Sequence, residues 1–209
     1  MVPTIRTARL ELVPFSVGAM RATLERDLQR AAAELGAEVP ADLYERLGGL
    51  FLLRTAQLEV DPGGADWLAR AMVIEERIPV SLAGVFRPGL ATDTTAPTRR
   101  RMIGSIGFHS APVDGVVEIG YHVEPGWRRE GYATEAVAAL LDWAADQGVH
   151  RIRAAVAPTN SASLGVVRHF GFRQTGSQWD EEDGEELVFM VDWPPVVGII
   201  EEPSRETAT

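Results

Sequence analysis

The order of elements in this 209-residue chain predicts a mixed α/β (α+β) domain, one sheet with helices on both of its faces. Runs that alternate apolar and polar residues, as half-buried strands do, are interleaved with runs whose apolar residues recur every three to four positions, as on a helix. Two pairs of strand-like runs also sit next to each other across short turns, which brings antiparallel pairing into the sheet. The length, with 45% apolar and 24% charged residues, is that of one soluble domain with a sizeable core. Residues 1–193 are expected to form that domain and 194–209 a loosely held tail.

Taken in order, Arg9 to Phe15 alternates as a strand, and Ser16 offers an N-cap to a helical stretch running to about Leu35. From Ala41 to Val60, residues Leu43, Leu47, Leu50, Phe51, Arg54 and Leu58 fall at helical spacing, with Gly48 and Gly49 expected to break the helix. A turn at 61–64 precedes a short strand over Ala71 to Ile74, and residues 79–100 have the composition of an inserted surface loop. Arg101 to His109 and Val116 to Val123 read as an antiparallel hairpin turning at 112–115. The strongest helix follows: Ala133, Ala136, Val137, Leu140, Leu141, Ala144 and Ala145 share one stripe, and Gly148 terminates it. Arg151 to Ala157 is then a strand and Asn160 to Phe170 a helix ended at Gly171. Phe172 to Ser177 and Leu187 to Trp193 form a last hairpin.

Two absences exclude whole chemistries. Without Cys there is no thiolate nucleophile, disulfide or cysteine-held metal. All 20 basic residues are Arg, and without Lys there is no Walker A loop and no Schiff-base lysine. The four histidines never fall in a His-Glu-x-x-His arrangement, and no metal is expected. The net charge of −10, with one short basic run at Arg99 to Arg101, argues against a nucleic-acid partner. No window is apolar enough to span a membrane, and Met1 to Phe15 has none of the regions of a signal peptide, so a cytoplasmic protein is expected.

The chemistry concentrates between Val116 and Glu135, where a strand, a glycine-bearing turn and the N-terminus of the strongest helix follow one another. Gly126, Gly131 and Ala133 let backbone N–H groups approach an anion, the helix dipole adds about half a positive charge, and Arg128 and Arg129 reinforce both. The same residues also suit an ordinary turn and a solvated helix start. Strand alternation puts Glu118, Gly120 and His122 on one face, Glu118 being either a general base or a rim carboxylate paired to Arg. His109, His150 and His169 carry no partner spacing. Trp127 stands where it could cover a ligand on the turn.

Arg128-x-x-Gly131-x-Ala133 resembles the pyrophosphate loop of the GNAT superfamily of N-acetyltransferases. Thr7-Ala8-Arg9-Leu10, Glu118 to Tyr121, Gly131 to Glu135, Asn160 to Ser163 and Phe170 to Phe172 are similar to its Rim-type branch, which includes the ribosomal-protein N-terminal acetyltransferases. The resemblance implies the GNAT fold, a mostly antiparallel sheet of about six to seven strands split between two of them, and transfer of an acetyl group from acetyl-CoA to a primary amine. It implies main-chain contacts near His122 and Val123 to the pantetheine and thioester. The amides of Arg129, Glu130, Gly131, Tyr132, Ala133 and Thr134, with Arg128, would hold the pyrophosphate. Asn160 would sit on the pantetheine arm, or serve only as a helix N-cap. Ser163 occupies the place of the proton donor to the departing thiolate, and Glu118 that of the base. The acceptor is a peptide N-terminus or a small cationic amine, the chain a monomer or homodimer. A non-catalytic acyl-CoA-binding module is the rival expectation. The acidic run Asp180 to Glu186 is expected at the last hairpin's loop, close to the acceptor's entrance.

Overall fold

The computed structural model describes residues 2–78, 97–181 and 184–195. Its strands are β1 (Ile5–Arg6), β2 (Glu11–Pro14), β3 (Arg70–Arg77), β4 (Thr98–Phe108), β5 (Val116–Val123), β6 (Arg151–Val156), β7 (Arg173–Asp180) and β8 (Gly184–Asp192). Its α-helices are α1 (Val17–Leu24), α2 (Leu28–Leu35), α3 (Leu43–Val60), α4 (Tyr132–Asp146) and α5 (Ser161–His169). The strands form one eight-stranded sheet in the order β1-β2-β3-β4-β5-β6-β8-β7, antiparallel at every pairing except β5 with β6. The strand beyond the expected six to seven is β1, two residues paired with Leu12 and Glu11 and too short to show a period.

Both faces of the sheet are covered. Met72 and Ile74 of β3 point to the α4–α5 side with Leu140, Leu141, Val137 and Val167, while Ala71 and Val73 join Met20, Leu43 and Phe51 on the side of α1–α3. Burial on both faces is why β3 reads as a continuous apolar run rather than an alternation. The expected strand over 71–74 extends to Arg77 because Glu75 and Glu76 sit opposite Arg100 and Arg99. Oppositely charged cross-strand pairs carry the ladder where apolar residues stop. Of the expected insertion over 79–100, residues 79–96 lie outside the described residues, and Thr98 to Arg100 open β4.

Two helical expectations are corrected. The stretch from Ser16 to Leu35 is two helices, because Arg26 takes φ +60° and the Asp27 carboxylate then accepts from the Arg30 N–H to cap α2. The helix from Leu43 to Val60 runs unbroken through Gly48 and Gly49. Burial of Leu43, Phe51 and Leu58 along one side outweighs about 1 kcal/mol of propensity lost at each glycine. Among the described residues no helix is long and apolar enough to cross a membrane.

Leu140 has no exposed surface and lies where α4 meets the sheet. Leu140→Ala is expected to cost about 3 kcal/mol and to lower the melting temperature by roughly 6–12 °C in a thermal scan.

Candidate active site

The parallel pair β5–β6 holds together only through Val116, Val117 and Glu118 opposite Arg151, Ile152 and Arg153. Beyond Glu118, β5 stays on β4 while β6 stays on β8, so the sheet splits between them. The His109 N–H donates to the Glu118 carbonyl and the Glu124 N–H to that of Ile103, so residues 118, 120, 122 and 124 turn their backbone groups to β4. Ile119, Tyr121 and Val123 therefore present theirs to the split. Of the two main-chain positions singled out, Val123 faces it, and His122 is engaged in the ladder opposite Ser105.

At the open end of β5 the chain makes a one-turn 3-10 segment, Pro125–Trp127, and enters α4 at Gly131. Arg129 has φ +68° and Gly131 φ +81°, a pair of left-handed residues that folds successive N–H groups toward one concavity. No side chain caps α4, and its first backbone bond runs from the Glu135 N–H to the Gly131 carbonyl, so the amides of Tyr132, Ala133 and Thr134 precede the ladder. Arg128 does less than expected at this turn: its Nε donates to the Val123 carbonyl at 2.8 Å and fixes the rim of the split.

A brace under the turn is legible only in the structure. Glu135 accepts from Thr7 Oγ1 at 2.6 Å, from the Arg9 N–H at 2.8 Å and from Arg9 Nε at 2.6 Å. Arg9 NH1 donates to the Glu130 carbonyl at 2.8 Å, and its guanidinium lies 4.5 Å from the centre of the Tyr132 ring. Thr7-Ala8-Arg9-Leu10 and Gly131 to Glu135, far apart in the chain, are thus two halves of one contact. Burial alone would push the Glu135 carboxyl up, but the hydrogen bonds from Thr7 and Arg9, with the charge of Arg9, hold it below the usual carboxylate range.

On the α4–α5 face of the split, Tyr121 carries a buried hydroxyl with no hydrogen bond of ordinary geometry. Burial pushes its phenol up, and the Ser163 hydroxyl beside it pulls the other way. Ser163 is thus not a lone alcohol, a pairing that sequence reading missed because Tyr121 and Ser163 meet only across the split. Asn160 Oδ1 accepts from the Ser163 N–H at 3.1 Å and caps α5.

The opposite face carries Glu118 and His122. Arg153 NH1 is paired to Glu118 Oε2, Arg153 NH2 donates to Gln178 Oε1 at 2.5 Å, and Gln178 Nε2 to Glu186 Oε2 at 2.8 Å. His109, to which the sequence assigned nothing, lies with Nδ1 3.6 Å from Glu118 Oε1. His122 Nε2 is 2.9 Å from Arg46 NH1, and burial together with the charges of Arg128 and Arg46 pushes its imidazole below the ordinary value, so it is neutral and spends that nitrogen as an acceptor. A cavity of about 340 Å³ lies beside this face between Val39, Pro40, Met102 and Trp127. A larger one, about 610 Å³, lies against β1–β3 and reaches Trp127 and Tyr132, and Glu11 in its wall is paired with both Arg6 and Arg100. Trp127 borders both cavities and packs edge-on to Tyr132 with ring centres 6.3 Å apart. Among the described residues no cluster of His, Asp or Glu could hold a metal.

Comparison with known proteins agrees with this architecture. The chain is 34% identical over 76 residues to the uncharacterised N-acetyltransferase YnaD of Bacillus subtilis, a match covering 36% of this chain and 45% of that protein, about half its length. Among solved structures, Mycobacterium smegmatis RimJ in complex with CoA-disulfide superposes with a TM-score of 0.56 at 18% identity, over 92% of this chain and 88% of that one. The microcin C7 self-immunity acetyltransferase MccE, in complex with acetyl-CoA and AMP, gives 0.55 at 11% identity over 89% and 93%. The profile of the acetyltransferase (GNAT) domain matches residues 65–173, from the lead into β3 through the split, the turn and α5. The split sheet and the glycine turn at the head of α4 fall inside that match, and the chain belongs to the GNAT acetyltransferase family.

Proposed function

We propose that this chain is an N-acetyltransferase that moves an acetyl group from acetyl-CoA directly to a primary amine, on a peptide N-terminus or a small cationic molecule. The observation that carries the reading is the parting of β5 from β6 beside a turn of unpaired amides. The residues present fit the cosubstrate: Val123 aims main-chain groups into the split, the Arg129–Thr134 amides suit an anion, and Tyr121 leaves a buried hydroxyl unsatisfied there. Acetyl-CoA supplies an activated thioester, whose acetyl group is taken by the amine as its thiol leaves.

The protein's part is to bind, polarise and move protons. The Val123 N–H is placed to donate to the thioester carbonyl, and the turn amides with Arg129 to hold the pyrophosphate. Arg128 keeps Val123 in place, and Asn160 offers its side-chain amide to the pantetheine arm while capping α5. Ser163 alone is a poor acid, and the Tyr121 phenol beside it supplies the proton that the departing sulfur needs. The amine approaches from the face of Glu118 and His122. Glu186 of β8, bonded to Gln178 on that face, favours a cationic acceptor there; Glu182 and Asp183 of the acidic run lie outside the described residues. The similar fold of RimL, a ribosomal L7/L12 α-N-protein acetyltransferase, supports the peptide N-terminus as one acceptor class. We place the protein in the cytoplasm, as a monomer or homodimer.

Release of free thiol from acetyl-CoA in the presence of peptides, polyamines and aminoglycosides tests the reading, with no background from the protein, which has no Cys. Thiol release matched by acetylated amine is expected, and Tyr121→Phe should lower kcat about tenfold. Acetyl-CoA binding without thiol release from any amine would instead show a non-catalytic acyl-CoA-binding module.

A further inference from the structure

The strand ladder sets His109 opposite Glu118 at the point where the split begins, since the His109 N–H donates to the Glu118 carbonyl at 2.9 Å. Its ring lies over β5: a Cβ on Gly120, two residues beyond the last β5–β6 pair, would meet His109 Nε2 at 3.0 Å. The side chain keeps 56% of its surface, so solvent and a substrate can reach it. Glu118 is differently placed, with one oxygen held by Arg153 and the other 3.6 Å from His109 Nδ1. That distance is longer than a hydrogen bond, as is common for catalytic pairs without substrate.

We propose that His109 Nε2 takes the proton from the acceptor ammonium, and that Glu118 is a positioning residue acting on the other ring nitrogen. The inference rests on the acyl-transfer reading and deepens it. A carboxylate ordinarily titrates near 4.3 and an imidazole near 6.5, so the imidazole is the better-matched base for an ammonium, and one oxygen of Glu118 is already taken by Arg153. His122 is unavailable because its Nε2 faces Arg46. The groups facing His109 are Arg54 of α3, Glu118 of β5, Arg153 of β6 and Glu186 of β8. Partial burial on its β5 side and the two arginines lower its imidazole against the pull of the two carboxylates, leaving it neutral at pH 7 and ready to accept. In the step, an ammonium N–H bond breaks and its proton goes to Nε2. The freed nitrogen pair forms the bond to the acetyl carbon while the C–S bond breaks and the sulfur takes a proton from the Tyr121–Ser163 side; the acylated nitrogen releases its surplus proton to solvent, and solvent returns a proton to the Tyr121–Ser163 pair. Glu118 stabilises the imidazolium at Nδ1–H, and solvent at the exposed edge removes the proton afterwards.

Two readouts test this: NMR titration of the His109 ring, and the pH profile of kcat for spermidine and for a peptide with a free N-terminus. In the wild-type protein kcat is expected to rise with pH along the His109 titration curve. His109→Gln should lower kcat about 100-fold and abolish that limb, with acetyl-CoA affinity and melting temperature kept. Glu118→Gln should keep the limb and move both it and the NMR titration to lower pH, because a negative charge that favours the imidazolium is gone. His109→Gln with a wild-type profile, or Glu118→Gln leaving the His109 titration unmoved, would overturn the proposal. An upward shift in Glu118→Gln alone would make Glu118 itself the base. Wild-type protein that binds acetyl-CoA and acetylates neither amine would overturn the acyl-transfer reading for these amines, and this proposal with it.

Discussion

Gly131→Glu is expected to abolish acetyl-CoA binding, with a loss of at least about 100-fold in affinity by calorimetry, in a protein that keeps its circular dichroism spectrum. Two causes add. At φ +81° any side chain strains the backbone by about 1–2 kcal/mol, which by itself deforms the concavity. A carboxylate then enters a place where the uncapped α4 terminus and Arg129 are arranged for negative charge. Gly131→Ala separates the two, since it brings the strain without the charge and should cost about tenfold in affinity. Unchanged affinity in Gly131→Glu would remove the cofactor from this turn.

The brace beneath the turn gives the second large effect. In Glu135→Gln the partner of Thr7 Oγ1, the Arg9 N–H and Arg9 Nε loses its charge, and the hold of Arg9 on the Glu130 carbonyl loosens. Acetyl-CoA affinity is expected to fall about tenfold, and stability at neutral pH by about 1–2 kcal/mol, a modest figure because Arg9 is nearly half exposed. The pH dependence has a definite sign. A carboxyl held below its unfolded value of about 4.3 contributes stability above that pH and loses it as the pH falls through the folded value. The gap in melting temperature between wild type and Glu135→Gln should therefore be full at neutral pH and close as the solution is acidified below about pH 5. A gap constant from neutral to strongly acid pH would show that the contact is held by shape and not by charge.

What was legible in the sequence, and what was not, divides along a physical line. β5, α4 and α5 could be read because each is local: alternation, an apolar stripe, a capping Asn160 and terminating glycines at 148 and 171. The anion turn could be read because its chemistry lies within a few residues, Arg128 to Thr134. The break at Arg26 and the continuity of α3 could not, because a capping Asp27 and tertiary burial overrode propensity. The site contacts that were missed are all non-local. Arg9 meets Glu135, and Tyr121 meets Ser163, only in the assembled sheet. His109 was hidden by the hairpin itself. Counting outward from the Val113–Val116 bridge sets His109 opposite Gly120, but the ladder runs two residues out of that register and sets it opposite Glu118.

The most direct test of the central claim, that the parting of β5 from β6 is an acetyl-CoA site, is a crystal structure of the protein with acetyl-CoA bound. The thioester carbonyl is expected within hydrogen-bond distance of the Val123 N–H, with the pyrophosphate over the amides of Arg129 to Thr134 and the sulfur facing Ser163 and Tyr121. Acetyl-CoA seated elsewhere, for example in the cavity against β1–β3, with the split closed or filled by side chains, would contradict it.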